Sequence, residues 1–417
     1  MITVIGLGFV GLTTALGFAH HGYKVYGIEK NVERKNQIEQ KIMPFYEPGL
    51  DKALSTHLNN NFFVEDNVKE VVNNSKYIFL CVGTPCKQSG EADLSDLFRA
   101  IDMCIPYINA EKKTIFIIKS TVPPSTTFGR IKEYMEAKQL KIGENVFLAN
   151  NPEFLREGYS WEDFINPGRI VVGAEDEYTK ENMHEIYNCF KAPIHLVTGN
   201  TAEFIKYVSN SLLATMISFS NEMAEVAENI GDIQTGQAFK ILHEDERWNN
   251  CNMTSYVYPG CGYGGYCLPK DTVALSNIAK SNGIETRILD EVIYRNNNMP
   301  SSIANRISKQ VPISQRIGIL GLSFKPDSDD VRACISYKVI NELIKLGYND
   351  FFAYDPIATE NFKKYYEINA TINYAYSLDE ICNKSDTLIV LTAWSEFKDI
   401  HKLTEQGKTV LDYRYMI

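Results

Sequence analysis

The residues best equipped for chemistry lie in Gly260-Cys261-Gly262-Tyr263-Gly264-Gly265-Tyr266-Cys267-Leu268-Pro269-Lys270-Asp271, where a thiol in a glycine-rich turn precedes a carboxylate by four positions. Glycines let backbone and substrate approach closely, Pro269 stiffens the exit, and a neighbouring ammonium such as Lys270 favours the nucleophilic thiolate. The pattern reads as a cysteine nucleophile with its base, or as a buried structural cysteine in a tight loop. Cys251, Cys261, Cys267 and His243 match no structural zinc spacing, so no metal is expected.

A second constellation opens the chain. Thr3-Val4-Ile5 runs into Gly6-Leu7-Gly8-Phe9-Val10-Gly11, a helical pattern follows to Ala19, and Lys24 to Ile28 reads as a strand ending at Glu29. This is a G-x-G-x-x-G in the strand-turn-helix setting that binds a dinucleotide pyrophosphate at a helix N-terminus. Glu29 stands where an acid accepts the adenosine ribose hydroxyls and repels a 2′-phosphate, which favours NAD over NADP. Lys30 beside it works against that preference, and a flavin is the competing ligand.

Those sites need a scaffold. Strand-like runs at Tyr77–Val82, Thr114–Ile118 and Val146–Leu148 alternate with helical stretches, the pattern of a doubly wound parallel sheet. They end in Gly83-Thr84-Pro85, Lys119-Ser120-Thr121-Val122-Pro123 and Asn151-Pro152-Glu153-Phe154-Leu155-Arg156-Glu157, and ligands of such folds sit at strand carboxyl ends. From about Thr201 to Asn298 the pattern turns helical, and Ala202 to Ile230 has neither proline nor glycine, as in a helix that bridges domains or forms a dimer seam. A third segment starts at Arg316-Ile317-Gly318-Ile319-Leu320-Gly321-Leu322 and continues through Phe351–Pro356, Thr387–Leu391 and Thr409–Asp412 as a second, smaller α/β sheet. The expected fold class is therefore α/β: two Rossmann-like doubly wound parallel-sheet domains, 1–198 and 301–417, joined by a helical segment, 199–300, that carries the cysteine loop.

The bulk properties agree. A chain of 417 residues with 44% hydrophobic and 23% charged residues reads as a soluble protein of two or three domains. Its net charge of −10 argues against a general nucleic-acid binder, and no run is long and apolar enough for a membrane span. Nine scattered cysteines without a C-x-x-C pair suit reduced thiols and a cytoplasmic protein.

Eight blocks in order resemble the nucleotide-sugar 6-dehydrogenases, the UDP-glucose/GDP-mannose dehydrogenase family. They are Gly6–Gly11, Tyr46–Leu50, Gly83–Pro85, Ser120–Pro123, Asn151–Glu157, Glu203–Asn210, Gly262–Asp271, and Gly321–Lys325 with Asp329–Arg332. The resemblance implies a four-electron oxidation of the sugar C6 alcohol to a carboxylate with two NAD and no release of the aldehyde. It implies Cys267 as nucleophile, Asp271 holding or activating water, Lys206 and Asn210 as alkoxide partners, and Thr121 and Glu157 in the same polar network.

The cofactor set it implies is Gly6, Gly8, Phe9, Val10, Gly11, Glu29, Lys30, Gly83, Thr84, Pro85, Ser120, Thr121 and Arg332. The substrate set is Glu153, Phe154, Leu155, Arg156, Glu157, Lys206, Asn210, Arg247, Tyr258, Tyr263, Gly264, Phe324 and Lys325, with Glu153 peripheral, Arg332 beside Lys325 also resembling a diphosphate or sugar contact, and Arg247 similar to an arginine the family supplies across a homodimer. Without the resemblance, Lys206 and Asn210 read equally as a solvated helix face, and Glu153 and Glu157 as salt-bridge partners of Arg156. The stretch from Arg247 to Cys267 is longer than in typical UDP-glucose enzymes, and Ser255–Gly260 resembles the GDP-mannose branch. Gly262–Asp271 and Thr392–Phe397 resemble bacterial UDP-glucose enzymes, and the branch acting on UDP-N-acetylhexosamines commonly has histidine where Tyr266 stands. The implied substrate order is UDP-glucose, GDP-mannose, then UDP-N-acetylhexosamines. A non-catalytic nucleotide-sugar sensor is the rival from another class, although it would be expected to lose one of these groups.

Overall fold

The computed structural model describes residues 1–246, 256–368 and 371–416. The chain divides into two compact units, Met1–Ser209 and Asn210–Ile417. The boundary falls inside one 32-residue helix, Gly199–Ile230, which matches the expected proline-free stretch. Among the described residues no helix is long and apolar enough to cross a membrane.

The first unit is built on eight strands: β1 (Ile2–Ile5), β2 (Val25–Ile28), β3 (Phe62–Val64), β4 (Tyr77–Leu80), β5 (Thr114–Ile118), β6 (Val146–Asn150), β7 (Ile170–Gly173) and β8 (Ile194–Val197). Their order is β3-β2-β1-β4-β5-β6-β7-β8, parallel throughout except for the antiparallel β6–β7 junction. Every residue of β1, β4 and β5 is buried, as expected of strands covered by helices on both faces. The chain order reverses between β1 and β4, the switch point at which ligands of this architecture bind.

The second unit holds β9 (Ile317–Leu320), β10 (Asp350–Tyr354), β11 (Thr371–Tyr374), β12 (Thr387–Val390) and β13 (Thr409–Asp412), in the order β11-β10-β9-β12-β13 and all parallel. The same winding appears in the first five strands of the other sheet. The likeness extends to atoms. Gly6 N–H donates to Ile28 and Gly321 N–H to Tyr354, each at 2.8 Å. Glu29 then accepts the N–H of Leu7, and Asp355 that of Leu322, each also at 2.8 Å. In both halves an acid ending the second strand fastens the glycine turn that follows the first.

Two helices of the second unit bear on the site. Cys267–Ser281 begins at the cysteine itself, with Pro269 in the first turn, where its missing N–H breaks no intrahelical bond. Arg287–Ser308 continues through Pro300 to Ser308, so a boundary at 300/301 would cut it in mid-course.

Candidate active site

In the first unit the Gly6–Gly11 turn fits a dinucleotide. A β-carbon on Gly11 would lie 1.8 Å from the Gly6 carbonyl oxygen, so only glycine permits this closeness of helix to turn. Above Gly8 the space is open, with Arg34 Nη1 the nearest atom at 3.9 Å from an added β-carbon. Helix Phe9–His20 begins with no side-chain cap and no acid in its first turn, which leaves its N–H groups available to an anion. Glu29 is buried, with Oε2 taking the Leu7 N–H and Oε1 the Asn31 N–H, each at 2.8 Å. The cation on Glu29 is Arg34, at 3.2 Å, whereas Lys30 is spent on Asp96 at 2.6 Å. Arg34 was missed in the sequence because it lies five residues beyond Glu29, on helix Val32–Glu39.

The loops after β4 and β5 are tied together. Ser120 Oγ donates to the Val82 carbonyl at 2.6 Å and Thr84 Oγ1 to the Thr121 carbonyl at 2.8 Å. Thr84, Ser120 and Thr121 are all buried at these strand ends. Glu203, in the first turns of the long helix, accepts the N–H groups of Thr126 and Thr127 at 3.2 and 2.8 Å, which anchors that helix to the segment following Thr121.

Lys206 is not on a solvated helix face. It is 4% exposed, and its Nζ stands 2.9 Å from Oε1 of Glu153, itself 5% exposed. Glu153, expected at the periphery, is thus the buried partner of the proposed alkoxide cation. Burial works to raise its carboxyl, but Lys206, the Leu155 N–H and Lys119 outweigh that and hold it below the ordinary glutamate value. Phe154 lies under two cations, Arg169 at 4.3 Å and Lys206 at 5.4 Å from the ring centre. Arg156 forks onto Asp163 at 2.7 and 3.0 Å.

In the second unit, Asp271 is 1% exposed and both its oxygens are engaged. Asn210 Nδ2 donates to Oδ2 at 2.6 Å and Lys270 Nζ to Oδ1 at 2.5 Å. Burial alone would lower the Lys270 amine, but the charges of Asp271 and Cys267 prevail and hold it above its ordinary value. Cys267 is the partly exposed first residue of its helix, a position where helix N-terminus and ammonium both favour a thiolate.

The glycine loop rests on the turn after β9. A β-carbon on Gly264 would lie 2.8 Å from the Ala333 carbonyl oxygen, and Gly265 N–H donates to the Arg332 carbonyl at 3.0 Å. Arg332 lies over the Tyr266 ring at 4.6 Å, and Lys270 approaches the same ring at 5.2 Å. Lys325 stands 5.7 Å from the ring centre of Phe324. Tyr263 packs into a small core with Ala214 and Val292, its backbone clasped by Asn296 through bonds of 2.8 and 3.0 Å. Asn296, distant in sequence, gave no signal there. Tyr258 hydrogen-bonds the Tyr415 carbonyl at 2.7 Å, and Arg247 falls outside the described residues.

Three family models match in succession: the NAD binding domain of the UDP-glucose/GDP-mannose dehydrogenase family over residues 1–191, its central domain over 200–298, and its UDP binding domain over 318–417. The chain belongs to that family. It is accordingly an NAD-dependent oxidoreductase whose substrate is a nucleotide sugar. A UDP-glucose 6-dehydrogenase of Rickettsia bellii is 36% identical, over 100% of this chain and 95% of that protein. A UDP-glucose dehydrogenase structure from Pyrobaculum islandicum superposes with a TM-score of 0.91 at 33% identity, covering 100% of this chain and 94% of the other. A GDP-mannose dehydrogenase structure from Pseudomonas aeruginosa gives a TM-score of 0.57 at 28% identity, with 99% and 96% covered. Within the family, the cofactor expected from Glu29 is the one its N-terminal domain binds.

Proposed function

We propose that the chain is a UDP-glucose 6-dehydrogenase that converts the sugar C6 alcohol to a carboxylate, with UDP-glucuronate as product. The observation that carries the chemistry is Asp271, buried one helical turn from Cys267 with Asn210 and Lys270 on its two oxygens. The choice of UDP-glucose rests on the relatives that share a third of this sequence over its whole length.

The Gly6–Gly11 turn and Glu29 would hold NAD, which when bound would supply the hydride acceptor for both oxidations. Lys206 and Asn210 stabilise the alkoxide as the first hydride leaves C6. The Cys267 thiolate then adds to the aldehyde carbon, and loss of the second hydride from that thiohemiacetal leaves a thioester. Asp271 holds the water that cleaves it, with Thr121 and Glu157 completing the polar network, and the thiol is restored as the carboxylate forms. Lys325 and Arg332 hold the diphosphate, for which a guanidinium fork is suited. A sensor that only bound nucleotide sugars would have no use for the thiol and carboxylate together.

The division of labour assigns 1–198 to NAD, 199–300 to dimer formation and the nucleophile, and 301–417 to the nucleotide sugar. The dimer reading is supported by Phe204, Val208, Leu212, Phe219, Val226 and Ile230 on the long helix, each at least 40% exposed and spaced by four or seven along most of its length. Such a stripe suits a second copy of the helix. The eight cysteines in the described residues form no disulfide, which suits a reducing cytoplasm.

The test is kcat/KM across UDP-glucose, GDP-mannose and UDP-N-acetylhexosamines with NAD. UDP-glucose leads if the proposal holds, and a preference for GDP-mannose or an N-acetylated sugar refutes the substrate.

A further inference from the structure

Lys119 is a buried cation at the carboxyl end of a central strand, and the proposed mechanism gives it no part. It follows β5 directly and is 6% exposed. Its Nζ donates to Oδ1 of Asn151 at 3.0 Å, and the Tyr187 hydroxyl donates to the same oxygen at 2.5 Å. Asn151 Nδ2 gives a third bond to the Val171 carbonyl, at 2.7 Å. An ammonium, a phenol and a strand carbonyl therefore fix the side chain at the start of Asn151-Pro152-Glu153. Two residues on, Glu153 holds Lys206.

The charges sharpen the point. A lysine paired with a buried glutamate is a neutral unit, and a neutral unit does little for a developing oxyanion. Cys81, Glu153 and Lys206 are the titratable groups that act on Lys119, and Tyr187 faces it through Asn151. Two of these stay neutral, since burial pushes the Cys81 thiol up to about 12 and the Tyr187 phenol well above its ordinary value. Among the described residues that act on Lys119, what remains is two ammonium groups against one carboxylate, in surroundings where charges are poorly screened.

We propose that Lys119 is a positioning residue for the oxidation: it fixes the Asn151–Glu153 segment and leaves the Lys206–Glu153 pair with a net positive charge toward the alkoxide. This rests on the reading of Lys206 given above. Burial, the foremost cause, pulls the Lys119 amine down to about 8, partly offset by Cys81 and Glu153 and reinforced by Lys206. Its charge is present below that pH and is lost above it.

The rate of the first hydride transfer, measured in single turnover with UDP-glucose across pH, tests the assignment in wild type, Lys119→Met and Lys119→Arg. Lys119→Met should be slower by about tenfold at about pH 7, with the deficit shrinking toward none at about pH 9, because the wild-type amine is then neutral too. The KM for UDP-glucose should stay near that of wild type. Lys119→Arg remains charged, so its rate relative to wild type should climb with pH, and that ratio carries the test if Lys119→Met fails to fold. A deficit independent of pH in both variants, or no deficit, overturns the role of Lys119 while leaving the parent reading intact. A wild type that reduces no NAD with UDP-glucose defeats the parent reading, and this inference with it.

Discussion

Asn210 donates to Asp271 at 2.6 Å, across sixty-one residues of sequence, and Lys270 takes the other oxygen of the same carboxylate. With both oxygens held, Asp271 has its direction set before any substrate arrives. A buried acceptor that loses its donor bears its desolvation cost, about 1–3 kcal/mol. Asn210→Ala should lower stability by about that amount and reduce kcat. Asn210→Asp, nearly the same in shape, should be worse, since two carboxylates would then face each other at hydrogen-bond distance. Thermal unfolding and turnover of the two variants check this, and an Asn210→Asp chain no worse than Asn210→Ala would contradict it.

The Lys206–Glu153 pair separates stability from catalysis. Breaking a buried ion pair from one side costs about 3–5 kcal/mol, whereas replacing both partners with neutral groups costs far less. Lys206→Met should thus be strongly destabilised, and Lys206→Met with Glu153→Gln should recover most of the loss in urea unfolding without recovering activity. A double variant as active as wild type would remove Lys206 from the chemistry.

The same pair predicts a pH dependence. Glu153 has a folded value below its ordinary one, so its contribution to stability is present above the unfolded value and is lost as pH falls through the folded one. Glu153→Gln should therefore flatten the acid side of the stability curve, and an acid limb unchanged from wild type would show that the pair does not contribute to it.

Cofactor choice turns on Glu29 and Arg34. Removing the carboxylate in Glu29→Ala frees the Arg34 guanidinium, 3.2 Å from Glu29 in the folded chain, to meet a 2′-phosphate. The ratio of kcat/KM for NADP to that for NAD should rise by about tenfold or more. An unchanged ratio would mean that neither residue reads the ribose.

Much of this was legible in the sequence for physical reasons. The Gly6–Gly11 turn and its acid announce themselves because close approach demands glycine and the ribose demands a carboxylate. The inner strands are short runs of mostly apolar residues, which a sheet buried on both faces requires. Strands β3, β8 and β11 were hard to read because they are three- or four-residue edge strands. The partners of the site side chains were the least readable. Glu153 was expected at the periphery, and nothing local announces Asp271 as the partner of Asn210, since such pairs are made by tertiary folding. Tyr258 and Tyr263 look like pocket aromatics in sequence, and nothing local announces the bond from the Tyr258 hydroxyl to the Tyr415 carbonyl or those between the Tyr263 backbone and Asn296.

The apolar stripe on Gly199–Ile230 predicts an assembly. Phe219 is 54% exposed, so Phe219→Glu should cost the folded chain only about 0.5 kcal/mol or less while placing a charge in the seam of a dimer. Sedimentation should show a wild-type dimer and a folded, lighter Phe219→Glu species. A wild-type monomer at assay concentration would rule out the helix as a dimer surface.

The central claim is that Cys267 carries a four-electron oxidation to completion, and NADH formed per UDP-glucose consumed measures it most directly. Two NADH per sugar, with UDP-glucuronate as product, is the expected result. In Cys267→Ser the reaction should stall after the first hydride, because a hydroxyl is far less nucleophilic than a thiolate at neutral pH. One NADH per sugar with free aldehyde from the wild type, or full turnover by Cys267→Ser, would contradict the account.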